Sequence, residues 1–136
     1  MRCRFILNLS FMSEPEDARL PVSLIIGATI RTAAQQGIPI VIVRHGDNAG
    51  GALVLKVNRL DGTAHVYGQI RSENKLVWSP LSRQDPLPEV AADQLFQQQA
   101  RYDPDVWLIE IEDRTGRHWF PGDMVPVKGV ETISSL

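Results

Sequence analysis

The chain has 136 residues and a net charge of −2, with 14 basic and 16 acidic residues scattered along it. That length suits one domain burying its own core without metal or disulfide staples, and 43% hydrophobic against 22% charged residues excludes the composition of a disordered chain. No basic stripe offers itself to a phosphate backbone and no apolar run reaches the roughly 20 residues of a membrane-spanning helix, so neither nucleic acid nor membrane is an expected partner.

The first stretch, MRCRFILNLSFMSEPEDARL, opens with two arginines and a short apolar run broken by Asn8 and Ser10. Glu14, Glu16 and Asp17 follow directly and no small-residue cleavage site intervenes, so a secretory signal is not read here and a cytoplasmic location is expected. Met12 begins a polar leader, which makes residues 1–11 an expected upstream-start artefact within an N-terminal extension, 1–18. The single cysteine, Cys3, has no partner for a disulfide and is read as inert.

Pro21 suits the first position of a helix and Gly37 the left-handed residue beyond its end. Between them Val22, Ile26, Ile30 and Ala33 recur at helical spacing, predicting an amphipathic helix with Ser23, Arg31 and Gln35 toward water. The run IPIVIV (38–43) is continuously apolar and β-branched, which predicts a strand covered on both faces and central in its sheet. After the turn-rich RHGDNAGG (44–51), residues 52–58 alternate as a second strand. Asp61-Gly62 marks a tight hairpin into a third strand over 64–70 with Val66, Tyr67 and Ile70, and residues 76–78 form a short fourth strand at the edge.

The proline-rich SPLSRQDPLP is a connector, and Ala92, Leu95, Phe96 and Tyr102 predict a second helix over 88–102, stopped before Pro104. VWLIEIE (106–112) is a strand with Trp107, Ile109 and Ile111 on one face and Leu108, Glu110 and Glu112 on the other. The turn at 113–116 lets Arg117 to Phe120 pair back as a last hairpin arm, and residues 121–136 are expected to be a loosely ordered tail. The order α-β-β-β-(β)-α-β-(β) is that of an α+β domain over 19–120, two helices packed on a mixed, mostly antiparallel sheet of four to six strands.

The helix ending in Gly-Ile-Pro, the block VIVRHGDNAGGALVLKVNRLDG and the later RYDPDVWLIEIEDRTGRHW together resemble an alphaproteobacterial family, domain-of-unknown-function family 1491. The resemblance covers roughly residues 19–120. It implies a small bacterial cytosolic domain and carries no activity, cofactor or binding residues with it.

The run IVIVRHGDN also resembles the entry motif of the histidine phosphatase superfamily, in which a strand delivers Arg-His-Gly and the histidine is phosphorylated. Arg44, His45 and Gly46 would then be an anion-holding guanidinium, the nucleophile and the turn, with Asp47 beside them. That superfamily follows its motif with a helix, whereas Gly50-Gly51 leads straight into a strand, and neither Arg71 nor His118 supplies the second basic motif its pocket needs. The preferred reading is a turn in which Gly46, Gly50 and Gly51 give backbone freedom and Asp47 or Asn48 bonds its own main chain. The same glycines offer a third reading, an anion-binding nest for a small ligand.

His45, Asp47, His65, His118, Glu110, Glu112 and Asp113 make no recognised metal-ligand spacing, so no metal and no cofactor are expected. Glu110 and Glu112 read as a solvated strand face or as partners of a basic side chain on the next strand. Nuclease-like chemistry would want an acid two positions before Lys56, where Val54 stands. Of the large aromatics, Trp107 is expected in the core, while Trp119 and Phe120 are expected to be exposed anchors for association. The leading functional expectation is a non-enzymatic interaction or scaffold domain with an unknown protein partner or a second copy of itself.

Overall fold

The structure is a computed structural model that describes residues 21–72 and 75–125. The N-terminal extension and the tail beyond Val125 lie outside the described residues.

Helix α1 (Val22–Ala34) leads into strand β1 (Ile40–Arg44), then β2 (Leu53–Asn58), β3 (Thr63–Ser72), β4 (Lys75–Pro80) and the two-residue β5 (Leu87–Pro88). Helix α2 (Glu89–Tyr102) and strand β6 (Trp107–Glu112) complete the order. The elements build an α+β domain with one mixed sheet ordered β1-β6-β2-β3-β4, with β5 paired to β3. The pairs are antiparallel except β2 with β6, which run parallel in register from Leu53 opposite Trp107 to Asn58 opposite Glu112.

Both helices form where the apolar spacing places them. Gly37 at φ +76° turns the chain out of α1, and the Ile38 N–H returns to the Ala33 carbonyl at 3.0 Å, closing the helix end. On α1, Ile26 and Ala33 are buried against one face of the sheet, where Leu55, Val57, Ile109 and Ile111 are fully covered. On α2, Ala92 and Phe96 bury against the opposite face, over Val54, Val66, Val106 and Leu108. Tyr102, on the predicted stripe of that helix, is instead 70% exposed.

Alternation in β2 and β6 therefore feeds two cores, one on each side of the sheet. Leu108, across β6 from the Trp107 face, is only 1% exposed because α2 covers it.

Strand β1 is at the edge of the sheet and not at its centre. Its apolar run reads as doubly covered, but α2 reaches only β2, β3, β5 and β6. Val41 and Val43 are consequently 57% and 41% exposed, while Ile40 on the other face is buried.

The segment after β6 forms no hairpin arm at Arg117 to Phe120. It runs across the sheet to β4, where the Trp78 N–H donates to the Asp123 carbonyl at 2.8 Å and the Val125 N–H to the Trp78 carbonyl at 2.7 Å. Among the described residues no helix is long and apolar enough to cross a membrane.

Candidate functional site

The loop after β1 is bound on three sides. Arg44 Nη1 donates to the Val106 carbonyl at 2.7 Å, and the Asp47 N–H donates to the Asp105 carbonyl at 3.0 Å. The Asp47 carbonyl accepts from the Gly51 N–H (2.9 Å) and from the Trp107 indole (3.0 Å). Asn48 does not bond its own main chain: its side-chain oxygen accepts the Ser23 N–H at 2.8 Å and its carbonyl the Val22 N–H at 3.1 Å, capping α1 from a distance.

Contact geometry also explains two of the glycines. A Cβ on Gly46 or Gly51 would stand 2.3 or 2.2 Å from the Asp105 carbonyl oxygen, so the loop lies directly on the turn before β6. A Cβ on Gly50 would meet nothing. His45 is exposed, with its ring 5.2 Å from that of Trp107. Arg44 Nη1 and the amides of Asp47 and Gly51 thus face protein oxygens.

Trp119 and Phe120 are not free anchors. Phe120 is 5% exposed and sits in the core edge-on to Trp78, with ring centroids 6.1 Å apart. Trp119 is half-buried, its indole donates to Asp113 Oδ2 at 2.7 Å, and the Arg117 guanidinium lies 3.8 Å above its ring. Burial works to raise the Asp113 pKa, but hydrogen bonds from Thr115 and Trp119 outweigh it and hold the carboxyl below its usual range.

Between α1 and this C-terminal segment lies a cleft of about 450 Å³. Val22 and Ile25 of α1 form one wall and Phe120 the other, while Leu53, Gln69 and Trp78 lie across the floor and the backbone of Gly50 and Gly51 closes one end. The Trp78 indole is occupied by the Pro121 carbonyl at 2.8 Å, and Gln69 Oε1 accepts the Leu53 N–H at 2.9 Å. No ionisable side chain is among the described residues that line it.

Two polar clusters lie elsewhere. Lys56, 2% exposed on the α2 face, has Glu89, Asp93 and Glu110 oxygens at 2.6, 3.0 and 3.4 Å. Burial would lower its pKa, yet the hydrogen bonds to Glu89 and Asp93 and the Glu110 charge raise it above the usual lysine value, which keeps the amine protonated and unfit as a nucleophile. Glu110, opposite Lys56 in the parallel register, is thus the basic side chain's partner that strand pairing leads one to expect.

His65 lies between Arg59 Nη1 (3.2 Å) and Asp85 Oδ1 (2.7 Å) and stacks on Tyr67 at 5.3 Å. A guanidinium has only donors, so Nε2 accepts and Nδ1 carries the proton toward Asp85, leaving neither ring nitrogen open. Burial, reinforced by Asp85, pushes the Tyr67 hydroxyl well above its usual pKa. His118 is held below the usual histidine value by burial and by Arg117, and its Nδ1 accepts the Phe120 N–H at 3.2 Å. Among the described residues no three His, Cys, Asp or Glu side chains are grouped as a metal ion would require.

The model of one family, described as a protein of unknown function (DUF1491), matches residues 20–121. The chain belongs to this family. A crystal structure of a DUF1491 family protein from Caulobacter crescentus is 31% identical, with a TM-score of 0.71 over 79% of this chain and 100% of that one. An NMR structure of a DUF1491 family protein from the same organism is 32% identical, with a TM-score of 0.68 over 78% of this chain and 96% of that one. A solution structure from A. tumefaciens shares the fold, with a TM-score of 0.64 at 20% identity over 80% and 99% of the two chains. No curated protein matches the chain closely enough to count as a relative.

Within the sequence blocks that carry the family resemblance, the stretches RHGDNAGG and RYDPDVW are structural partners: the first lies on the second through the contacts of Arg44, Gly46, Asp47 and Gly51. The cleft escaped sequence reasoning because its lining comes from five separate stretches of chain. One signal was present, since Gln69 is a polar residue at an inward position of β3, two residues beyond buried Tyr67.

Proposed function

We propose that the chain is a non-enzymatic cytoplasmic binding domain over residues 19–120, and that its ligand enters the cleft between α1 and the C-terminal segment. The observation that carries this reading is the chemistry of the cleft: a concavity of about 450 Å³, within the size range of small-molecule sites, with an apolar described lining that includes Gln69 but no acid, base or nucleophile. Support for phosphoryl transfer at His45 is thin, because Arg44 is directed at the Val106 carbonyl.

A mixture of small uncharged apolar fragments, titrated into isotope-labelled protein, should shift the amide signals of Gly50 and Gly51 and the Trp78 indole. Ile25→Trp, which fills the cleft from the α1 wall, should weaken the response at least tenfold with little change in unfolding midpoint. Responses confined to other surfaces, or unaffected by Ile25→Trp, would remove the cleft from consideration.

Self-association is the second reading, favoured by the exposed valines of β1 and by an outer backbone edge that no other described strand pairs. Its signature is a sedimentation coefficient that rises with protein concentration.

A further inference from the structure

From the hydrogen bonding of Gln69 we infer that the cleft selects an uncharged apolar carbonyl compound, held by a hydrogen bond from Gln69 Nε2 to the carbonyl oxygen. The inference rests on the reading of the cleft as the ligand site and adds the chemistry of what it takes.

Orientation of the Gln69 amide is settled by its neighbour. The Leu53 N–H is a donor, so the oxygen of the carboxamide must be the end that meets it, at 2.9 Å. The NH₂ end then points away from the β2 backbone, and no acceptor among the described residues takes it. Gln69 is half-buried on the cleft floor, where a donor without an acceptor favours a ligand that supplies one.

The other side-chain donor on the floor, the Trp78 indole, is already engaged by the Pro121 carbonyl. What remains beside Gln69 is apolar: the edge-on pair Trp78 and Phe120 on one side and Val22 and Ile25 on the other. This suits a flat or branched apolar body. A carboxylate could also accept from Gln69, but the described lining holds no cation to offset the loss of its hydration, so a neutral carbonyl is preferred.

The test compares three probes of nearly equal size by NMR titration: 4-phenyl-2-butanone, n-butylbenzene and 3-phenylpropanoate. The ketone should bind about fivefold more tightly than the hydrocarbon, the return of one net hydrogen bond, and more tightly than the carboxylate. Gln69→Glu keeps an oxygen for the Leu53 N–H and removes the donor, so the ratio of ketone to hydrocarbon affinity should fall to about one or below. If that variant unfolds, Gln69→Met gives the same readout.

Equal binding of ketone and hydrocarbon by the unaltered protein, or a ratio that survives both substitutions, overturns the carbonyl inference and leaves the cleft reading standing. Tightest binding of the carboxylate overturns the preference for a neutral ligand. Binding of none of the three overturns the cleft reading itself.

Discussion

Gly51 and Gly50 are neighbours in sequence with opposite obligations. A methyl group at Gly51 would be driven into the Asp105 carbonyl and approach the Asp47 backbone within 2.8 Å, and neither is the movable end of a side chain. Gly51→Ala should therefore destabilise the protein by about 3 kcal/mol in urea unfolding, the loop being forced off the β6 turn. Gly50→Ala meets open space and should stay within about 0.5 kcal/mol. If the two variants lost equal stability, close backbone approach would not be the reason for a glycine at 51. The presence of glycines was plain in the sequence as a turn signal, but which of them is sterically required depends on Asp105, more than fifty positions away.

At the scale of elements, the polar device that holds α2 to the sheet is Lys56, whose amine reaches across from β2 to Glu89 and Asp93 of the helix and sideways to Glu110 of β6. Lys56→Met should lower stability by about 2 kcal/mol at neutral pH, a modest figure for a buried lysine because the Glu89 and Asp93 side chains are 36% and 45% exposed and remain hydrated.

The sign of the pH dependence follows from proton linkage. In the protein itself the lysine pKa is raised on folding, so its contribution is complete below the ordinary value of 10.5 and is lost as pH rises through the folded value. In Lys56→Met, three carboxylates face one another without the cation that balances their charge. The deficit of the variant should then shrink as pH falls from 7 to 4, which paired urea titrations at the two pH values would check. In the sequence Lys56 stands only as a strand lysine without the acid a nuclease pattern places two positions before it; the helix that supplies two of its three partners is brought to it by packing of Phe96 and Ala92.

Over the whole molecule, the two edges of the sheet differ. The backbone of β4 is met by the chain's own Asp123 to Val125, whereas among the described residues β1 pairs only with β6. Pro39 before β1 and a register shift between Ile42 and Arg44 shorten that outer edge, but its outward valines carry no charge. If β1 joins two copies, Val41→Lys should abolish concentration-dependent sedimentation while leaving the unfolding free energy within about 0.5 kcal/mol, since the side chain is already more than half exposed. Association that persists in Val41→Lys would place the contact elsewhere.

The two helices, the α+β class and most strand positions were legible because they follow from local chemistry: the 3.6-residue spacing of Val22, Ile26 and Ala33, the left-handed Gly37, and the Asp61-Gly62 turn. The rank of β1 was not, since an apolar strand is central only if something covers both faces, and α2 stops short of it. Nor could the sequence show that Phe120 would be buried, because its cover comes from the route the chain takes across Trp78 after β6. The cleft is the clearest case. Composition by itself set the apolar character of its residues, but a concavity exists only where α1, β2, β3, β4 and the C-terminal segment converge, and convergence is a property of tertiary packing that no local pattern encodes.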